Sequence, residues 1–211
     1  MDRIALVAAQ LTIKDLTIER GARRLFEGIA LHAEPGSHIA LRGPNGSGKT
    51  SLLRAVAGLL APAFGEIRFN RDGESIARED RGQHLHLLTH RDGLKAPLDA
   101  RAHLRYWRGL FDGEGDIDAA LDRVGLGKIA DLPTRAFSAG QGRRLALARL
   151  IACPRPLWLL DEPAAALDAN GKALLDALII SHCASGGIVI AAVHEALGAP
   201  VTATLDLGGH P

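Results

Sequence analysis

Long hydrophobic runs are missing from this chain. No window reaches eighteen consecutive apolar residues, and the longest candidate, Leu145 to Cys153, is interrupted by Arg149, so no segment reads as a bilayer-crossing helix. The opening Met1 to Ala9 carries one Arg and an apolar stretch too short for the core of a secretory leader; strand-like residues from Leu11 follow at once, and no leader is expected. Cysteine is scarce as well. Cys153 and Cys183, in apolar or mixed surroundings, are expected as reduced side chains rather than a disulfide. An excess of one charge is also lacking: 25 Lys and Arg against 24 Asp and Glu leave a well-mixed +1, which excludes an electrostatic footprint for nucleic acid. No internal repeat is visible, and 211 residues suffice for one α/β core with a small helical insertion.

What is present is concentrated in a few short stretches. Gly43-Pro44-Asn45-Gly46-Ser47-Gly48-Lys49-Thr50 fills every fixed position of the phosphate-binding-loop pattern, between an apolar run (His38 to Leu41) and an amphipathic helix starting near Lys49. Glycines there let backbone N–H groups turn onto phosphates, Lys49 reaches the outer phosphates, and the Thr50 hydroxyl is placed to ligate Mg²⁺. The helix that follows offers its positive end to the same anion.

Pro156 to Leu160 is a continuous apolar run ending in Asp161-Glu162, which reads as a buried parallel strand delivering acids at its C-terminal edge. Asp161 is placed to hold Mg²⁺ through water. Glu162, on the other side of the pleat, is where a base for an attacking water would lie. Two acids after a strand also suit a solvated turn, but beside a phosphate loop the catalytic reading gains weight.

Between these stretches lies Phe137-Ser138-Ala139-Gly140-Gln141-Gly142-Arg143-Arg144, directly before the helical pattern Leu145 to Ile151. Ser138 suits an N-cap, and the small residues behind it leave first-turn N–H groups open to an anion. An ordinary capped helix accounts for Ser138 but not for Gly140-Gln141 or the two arginines. The stretch is similar to the signature motif of ATP-binding cassette (ABC) ATPases, usually LSGGQ, with Phe for Leu and Ala for the first Gly. Two more stretches follow in that family's order. Ala166-Leu167-Asp168 resembles the D-loop, and His194, closing the apolar run Ile188 to Val193, resembles the switch histidine that bonds the γ-phosphate and orients water.

The resemblance covers almost the whole chain and implies a P-loop α/β fold, with a parallel sheet, an N-terminal antiparallel β portion and an inserted helical subdomain at about 92–152. It implies one ABC ATPase domain over 1–211 that hydrolyses ATP with Mg²⁺. Two copies would close on ATP, with Ser138, Gly140 and Gln141 of one meeting the nucleotide held by the other. Residues from about 10 to 42 read as strands, and the helix after Thr50 is expected to bury Leu52, Leu53, Val56, Leu59 and Leu60 before stopping at Pro62. Further strands are expected at Gly65–Phe69, near Leu85–Leu88, before Asp161 and before His194, with a helix from about Gly171 to Cys183. Alternating strands and helices with the acids and phosphate loop at strand ends argue for a parallel sheet.

The chain departs from the family where a glutamine usually precedes the helical insertion, since His90 or Arg91 stands there, and where an aromatic residue usually stacks on adenine, since Arg20 stands there. A guanidinium also stacks on a base. These departures, with Gly93-Leu94-Lys95 and the FSAGQ stretch, resemble one subfamily, the ATP-binding subunit of the bacterial system for cytochrome c maturation. That resemblance implies membrane-spanning partner subunits, peripheral attachment to the cytoplasmic face of the bacterial inner membrane, and ATP use in haem export or in release of a haem-loaded chaperone. An ABC exporter ATPase with another substrate and a soluble non-transport ABC ATPase are the alternatives; the latter usually carries a long coiled coil or second cassette, for which the interval from Thr50 to Ser138 is too short. His84, His86 and His90 lie close in sequence, and alternation puts His84 and His86 on one strand face, but no Cys or carboxylate completes a metal set and a structural role is expected.

Overall fold

The computed structural model describes residues 8–21, 23–89, 93–95 and 97–208. Two sheets lie at its centre. One is antiparallel, built from β1 (Ala9–Arg20), β2 (Arg23–Ala33), β4 (Phe64–Arg71) and the short β5 (Glu74–Ser75), in the order β2-β1-β4-β5. The other joins β6 (Leu85–Leu88), β7 (Leu157–Asp161), β8 (Ile188–Ala192), β3 (His38–Arg42) and β9 (Ala203–Asp206), in the order β6-β7-β8-β3-β9, with every pairing parallel. Because both faces are covered, β7 and β8 are buried at every residue, which is why their sequences read as unbroken apolar runs.

The pleat divides these runs between two cores. Ile39, Leu41, Leu157, Leu159, Ile188 and Ile190 face the antiparallel sheet and helix α1 (Lys49–Val56), which contributes Leu52, Leu53 and Val56. Ala40, Trp158, Leu160, Val189 and Ala191 face the other way, onto α2 (Ala100–Leu110), α3 (Ile117–Arg123), α4 (Ala139–Ala152) and α5 (Ala169–Ala184). Full burial of each large aliphatic side chain contributes about 1.5–3 kcal/mol. Helices α2, α3 and α4 make up the expected helical insertion, and α4 runs back onto the parallel sheet.

Among the described residues, four of the five α-helices begin on a side-chain cap. Asp99 accepts from Ala102 N–H, Asp116 from Asp118 and Ala119, Ser138 from Gln141, and Asp168 from Gly171. These are the short polar residues that satisfy first-turn donors best. Helix α1 is different: its cap is Gly48, at φ 102°, and no side chain bonds its first turn.

Three expectations are corrected. Helix α1 stops short of Leu59, which is 70% exposed. Gly58 ends it at φ 83°, with Leu59 N–H turning back to the Arg54 carbonyl, and an added Cβ at Gly58 would stand 2.3 Å from the Arg78 carbonyl oxygen. His84 does not share a strand face with His86, because it closes the short 3-10 turn Arg81–Gln83 ahead of β6 and there meets Arg71. Helix α5 also starts two residues before the expected Gly171, set by its Asp168 cap.

Burial keeps three histidines neutral on the helical side of the parallel sheet. His103 and His182 are pushed down to about 4 and His86 well below its ordinary value, first by burial in each case, with the Arg149 charge adding at His86 and His103. In the unfolded chain these rings take up protons near pH ~6.5. Below that pH the unfolded state binds protons that the folded state refuses, down to about pH 4 at His103 and His182, so stability falls as pH falls through this window. Each histidine costs about 1.4 kcal/mol per pH unit there. We expect Tm to drop by about 10 °C or more between pH ~7.5 and pH ~5, measured by thermal melts; an unchanged Tm would contradict the assigned neutral state.

Candidate functional site

The loop from Gly43 to Thr50 leaves the C-terminal end of β3 and enters α1, and it is packed from below. A Cβ at Gly48 would stand 2.8 Å from the Phe26 ring of β2, and one at Gly43 would stand 2.7 Å from Ser47 Oγ. Only glycine fits at either position, since both also hold positive φ. Lys49, only 8% exposed, donates to the carbonyls of Gly43 at 2.6 Å and Pro44 at 3.2 Å, so its ammonium lies across the mouth of the loop.

Across the cavity, β7 brings Asp161 to the end of its strand. Asp161 Oδ2 accepts from Thr50 Oγ1 at 2.7 Å. The next residue, Glu162, takes a left-handed backbone, φ 49°, and its N–H donates to the Ala192 carbonyl of β8 at 2.9 Å. A non-glycine residue held there is strained by about 1–3 kcal/mol, and such strain gathers at functional sites. His194, just past β8, puts Nε2 3.3 Å from Glu162 Oε1.

A cavity of about 320 Å³ is lined by Asn45, Gly46, Gly48, Lys49, Thr50, Asp161, Glu162 and His194, together with Arg20 and Leu25. Residues separated by more than a hundred positions are thus gathered in one cleft. Glu162 and His194 also line a second cavity of similar volume on their far side, with Ala166, Leu167 and Lys172. Ser138, Gly140 and Gln141 line neither. Ser138 and Gln141 instead form a reciprocal capping box: Gln141 N–H donates to Ser138 Oγ at 3.2 Å, and Ser138 N–H donates to Gln141 Oε1 at 2.9 Å. Asp168 accepts from Arg144 at 2.6 Å as well as capping α5, so the D-loop-like segment is tied to α4.

The fit of a triphosphate and a divalent cation is tested by three features. Ser47 Oγ is buried without a partner, the first turn of α1 has no side-chain cap, and Thr50 and Asp161 present a hydroxyl and a carboxylate side by side. An anion satisfies the first two. The last is an oxygen-only donor pair, which suits Mg²⁺ completing its shell from phosphates and water. Among the described residues no group of three or more His, Cys, Asp or Glu could hold a metal by protein ligands alone. His86 spends its Nε2 on the Cys153 carbonyl at 2.6 Å and lies edge-on to Phe111. His90, Arg91 and Asp92 lie outside the described residues.

Two site-supporting residues escape a motif search. Phe26 forms the floor under Gly48 but reads in the sequence as one more apolar strand residue. Arg143 is 2% exposed and bonds the backbone around Glu162, whereas in the sequence it shows only as half of an arginine pair.

Comparison with known proteins gives a consistent picture. A family model described as ABC transporter matches residues 26–165. A cytochrome c biogenesis ATP-binding export protein of Hyphomonas neptunium is 46% identical over 200 residues, covering 95% of this chain and 97% of the relative. One of the same description from Rhodopseudomonas palustris is 47% identical over 189 residues, 89% of this chain and 93% of the relative. Among solved structures, a putative ABC transporter ATP-binding protein from Pyrococcus furiosus superposes with TM-score 0.80 at 24% identity, covering 94% of this chain and 97% of that one. A bacterial Atm1-family ABC exporter with ATP bound gives TM-score 0.76 at 22% identity, covering 91% of this chain and 36% of that one. The two structural likenesses speak for the fold. No helix among the described residues is long and apolar enough to cross a membrane.

Proposed function

Because the chain belongs to the ABC transporter family of ATP-binding subunits, and within it to the group of cytochrome c biogenesis ATP-binding export proteins, we propose that it is the ATP-hydrolysing subunit of a complex serving c-type cytochrome assembly. Residues 1–211 act as one ATPase domain. Two copies close on ATP, and the closure drives membrane-spanning partner subunits at the cytoplasmic face of the bacterial inner membrane. The work done is haem export or release of a haem-loaded chaperone.

The observation that carries the catalytic part of this reading is the single cleft that gathers the phosphate loop, Thr50, Asp161, Glu162 and His194. Gly43 to Thr50 bind the phosphates through backbone N–H groups, with Lys49 swinging from loop carbonyls onto phosphate oxygens. Bound Mg²⁺ would supply neutralisation of phosphate charge. Thr50 and Asp161, side by side at the end of the loop, are the residues that would hold it. Glu162 takes the proton of the attacking water, and His194 orients that water against the γ-phosphate. Arg20 lines the same cleft, and its guanidinium stacks on adenine. Ser138, Gly140 and Gln141, which lie off this cleft, serve the nucleotide of the other copy.

The cellular test is direct. A strain lacking the protein, or carrying only Lys49→Ala with its membrane partners intact, should lose c-type cytochromes while keeping b-type haem proteins. Haem staining of periplasmic fractions beside a b-type control reads this out. Normal c-type levels in both strains would overturn the cytochrome assignment and leave an ABC ATPase with another substrate.

A further inference from the structure

Glu162 stands in a left-handed backbone that its own side chain does not favour, so something must hold it. Its N–H is tied to Ala192 of β8. Its carbonyl accepts from Arg143 Nη2, and the same guanidinium donates to the Asp161 carbonyl at 3.2 Å, the Pro163 carbonyl at 3.1 Å and the Thr89 carbonyl at 2.8 Å. One buried, planar fork of donors therefore spans three consecutive carbonyls from the last residue of β7 onward and one just past β6. Arg143 itself sits on α4, five residues beyond Ser138, in the helix whose N-terminal end carries the FSAGQ stretch.

From this we infer that Arg143 is a positioning residue for Glu162: it fixes the strained turn that aims the carboxylate and makes that aim depend on the placement of α4. The inference rests on the reading of Glu162 as base. Its consequence is a link within one subunit. When the Ser138 end of α4 engages the partner's nucleotide, the displacement is delivered through the guanidinium to the Asp161–Glu162–Pro163 backbone of the same chain, so hydrolysis at one site responds to docking at the other. The Thr89 carbonyl brings the segment entering the helical insertion into the same clasp. A lysine there keeps the charge but loses the fork, and cannot span four carbonyls.

The test separates aiming from folding. In the 211-residue chain, Arg143→Lys should leave affinity for a fluorescent ATP analogue within about twofold while single-turnover hydrolysis falls about 10²-fold, the effect of a small misplacement of a catalytic group. In a Glu162→Gln background the same substitution should change the residual rate less than about twofold, because there is no base left to aim. Arg143→Gln serves as a second variant, with the same split expected. An unchanged rate in Arg143→Lys would overturn the inference. So would equal fractional losses with and without Glu162, or loss of nucleotide binding in both variants, each of which makes Arg143 a residue of the fold alone. If Glu162→Gln by itself hydrolyses at the wild-type rate, the base reading has failed first, and the inference falls with it.

Discussion

Glu162→Gln should slow ATP hydrolysis by about 10²- to 10⁴-fold while leaving ATP bound, the range that removal of a general base produces. The substitution keeps the shape of the side chain and spares the Thr50–Asp161 pair, which lies on the other side of the pleat and is made without Glu162. It also keeps the backbone clasp of the turn, since Ala192 and Arg143 bond main-chain atoms. What disappears is the negative carboxylate beside His194 Nε2. With binding intact and turnover stopped, the closed pair of copies should accumulate. Size-exclusion chromatography with ATP and Mg²⁺ should show a dimer that wild-type protein, turning over, does not retain. Wild-type rates in this variant would remove Glu162 from the mechanism.

Ser138→Arg and Lys49→Ala should each abolish activity alone, and mixing the two chains should restore part of it. Lys49 lines the nucleotide cleft of its own copy and Ser138 does not. If α4 of one copy meets the nucleotide of the other, a mixed dimer collects both lesions in one composite site and leaves its second site whole. With equal mixing, half the dimers are mixed and each has one of two sites intact, so about a quarter of wild-type turnover is the ceiling, and recovery falls below it because the intact site takes its Glu162 from the chain whose own α4 carries Ser138→Arg. No recovery on confirmed mixing would show that Ser138 serves its own chain's nucleotide.

The parts of this fold that were legible in the sequence are those where one local pattern decides. The unbroken apolar runs before Asp161 and His194 became β7 and β8 because both faces of a central parallel strand are dry. Short polar residues ahead of helical patterns became caps, as at Ser138. Local pattern failed where a distant contact intervened. Apolar spacing through Leu60 argues for a longer α1, but Gly58 lies against the Arg78 carbonyl, and that approach cannot be read from residues 50–60. His84 and His86 share a period-two spacing, yet a 3-10 turn interposes before β6. At the site, the motifs named the residues that the structure brings into one cleft, while the supports remained hidden. Arg143 acts through four main-chain carbonyls from two segments, and carbonyls carry no sequence signal.

The missing cap of α1 has a thermodynamic side. Four helices carry their own terminator for the first-turn donors, and the fifth leaves that task to whatever anion occupies the loop. The nucleotide is then a piece of secondary structure as well as a fuel. A ligand at about a hundred times its Kd adds about 2.7 kcal/mol to a fold that binds it only when native. The integrity of the subunit is therefore tied to occupancy of the loop, by ATP or ADP alike, since either supplies the phosphate that the first turn of α1 lacks.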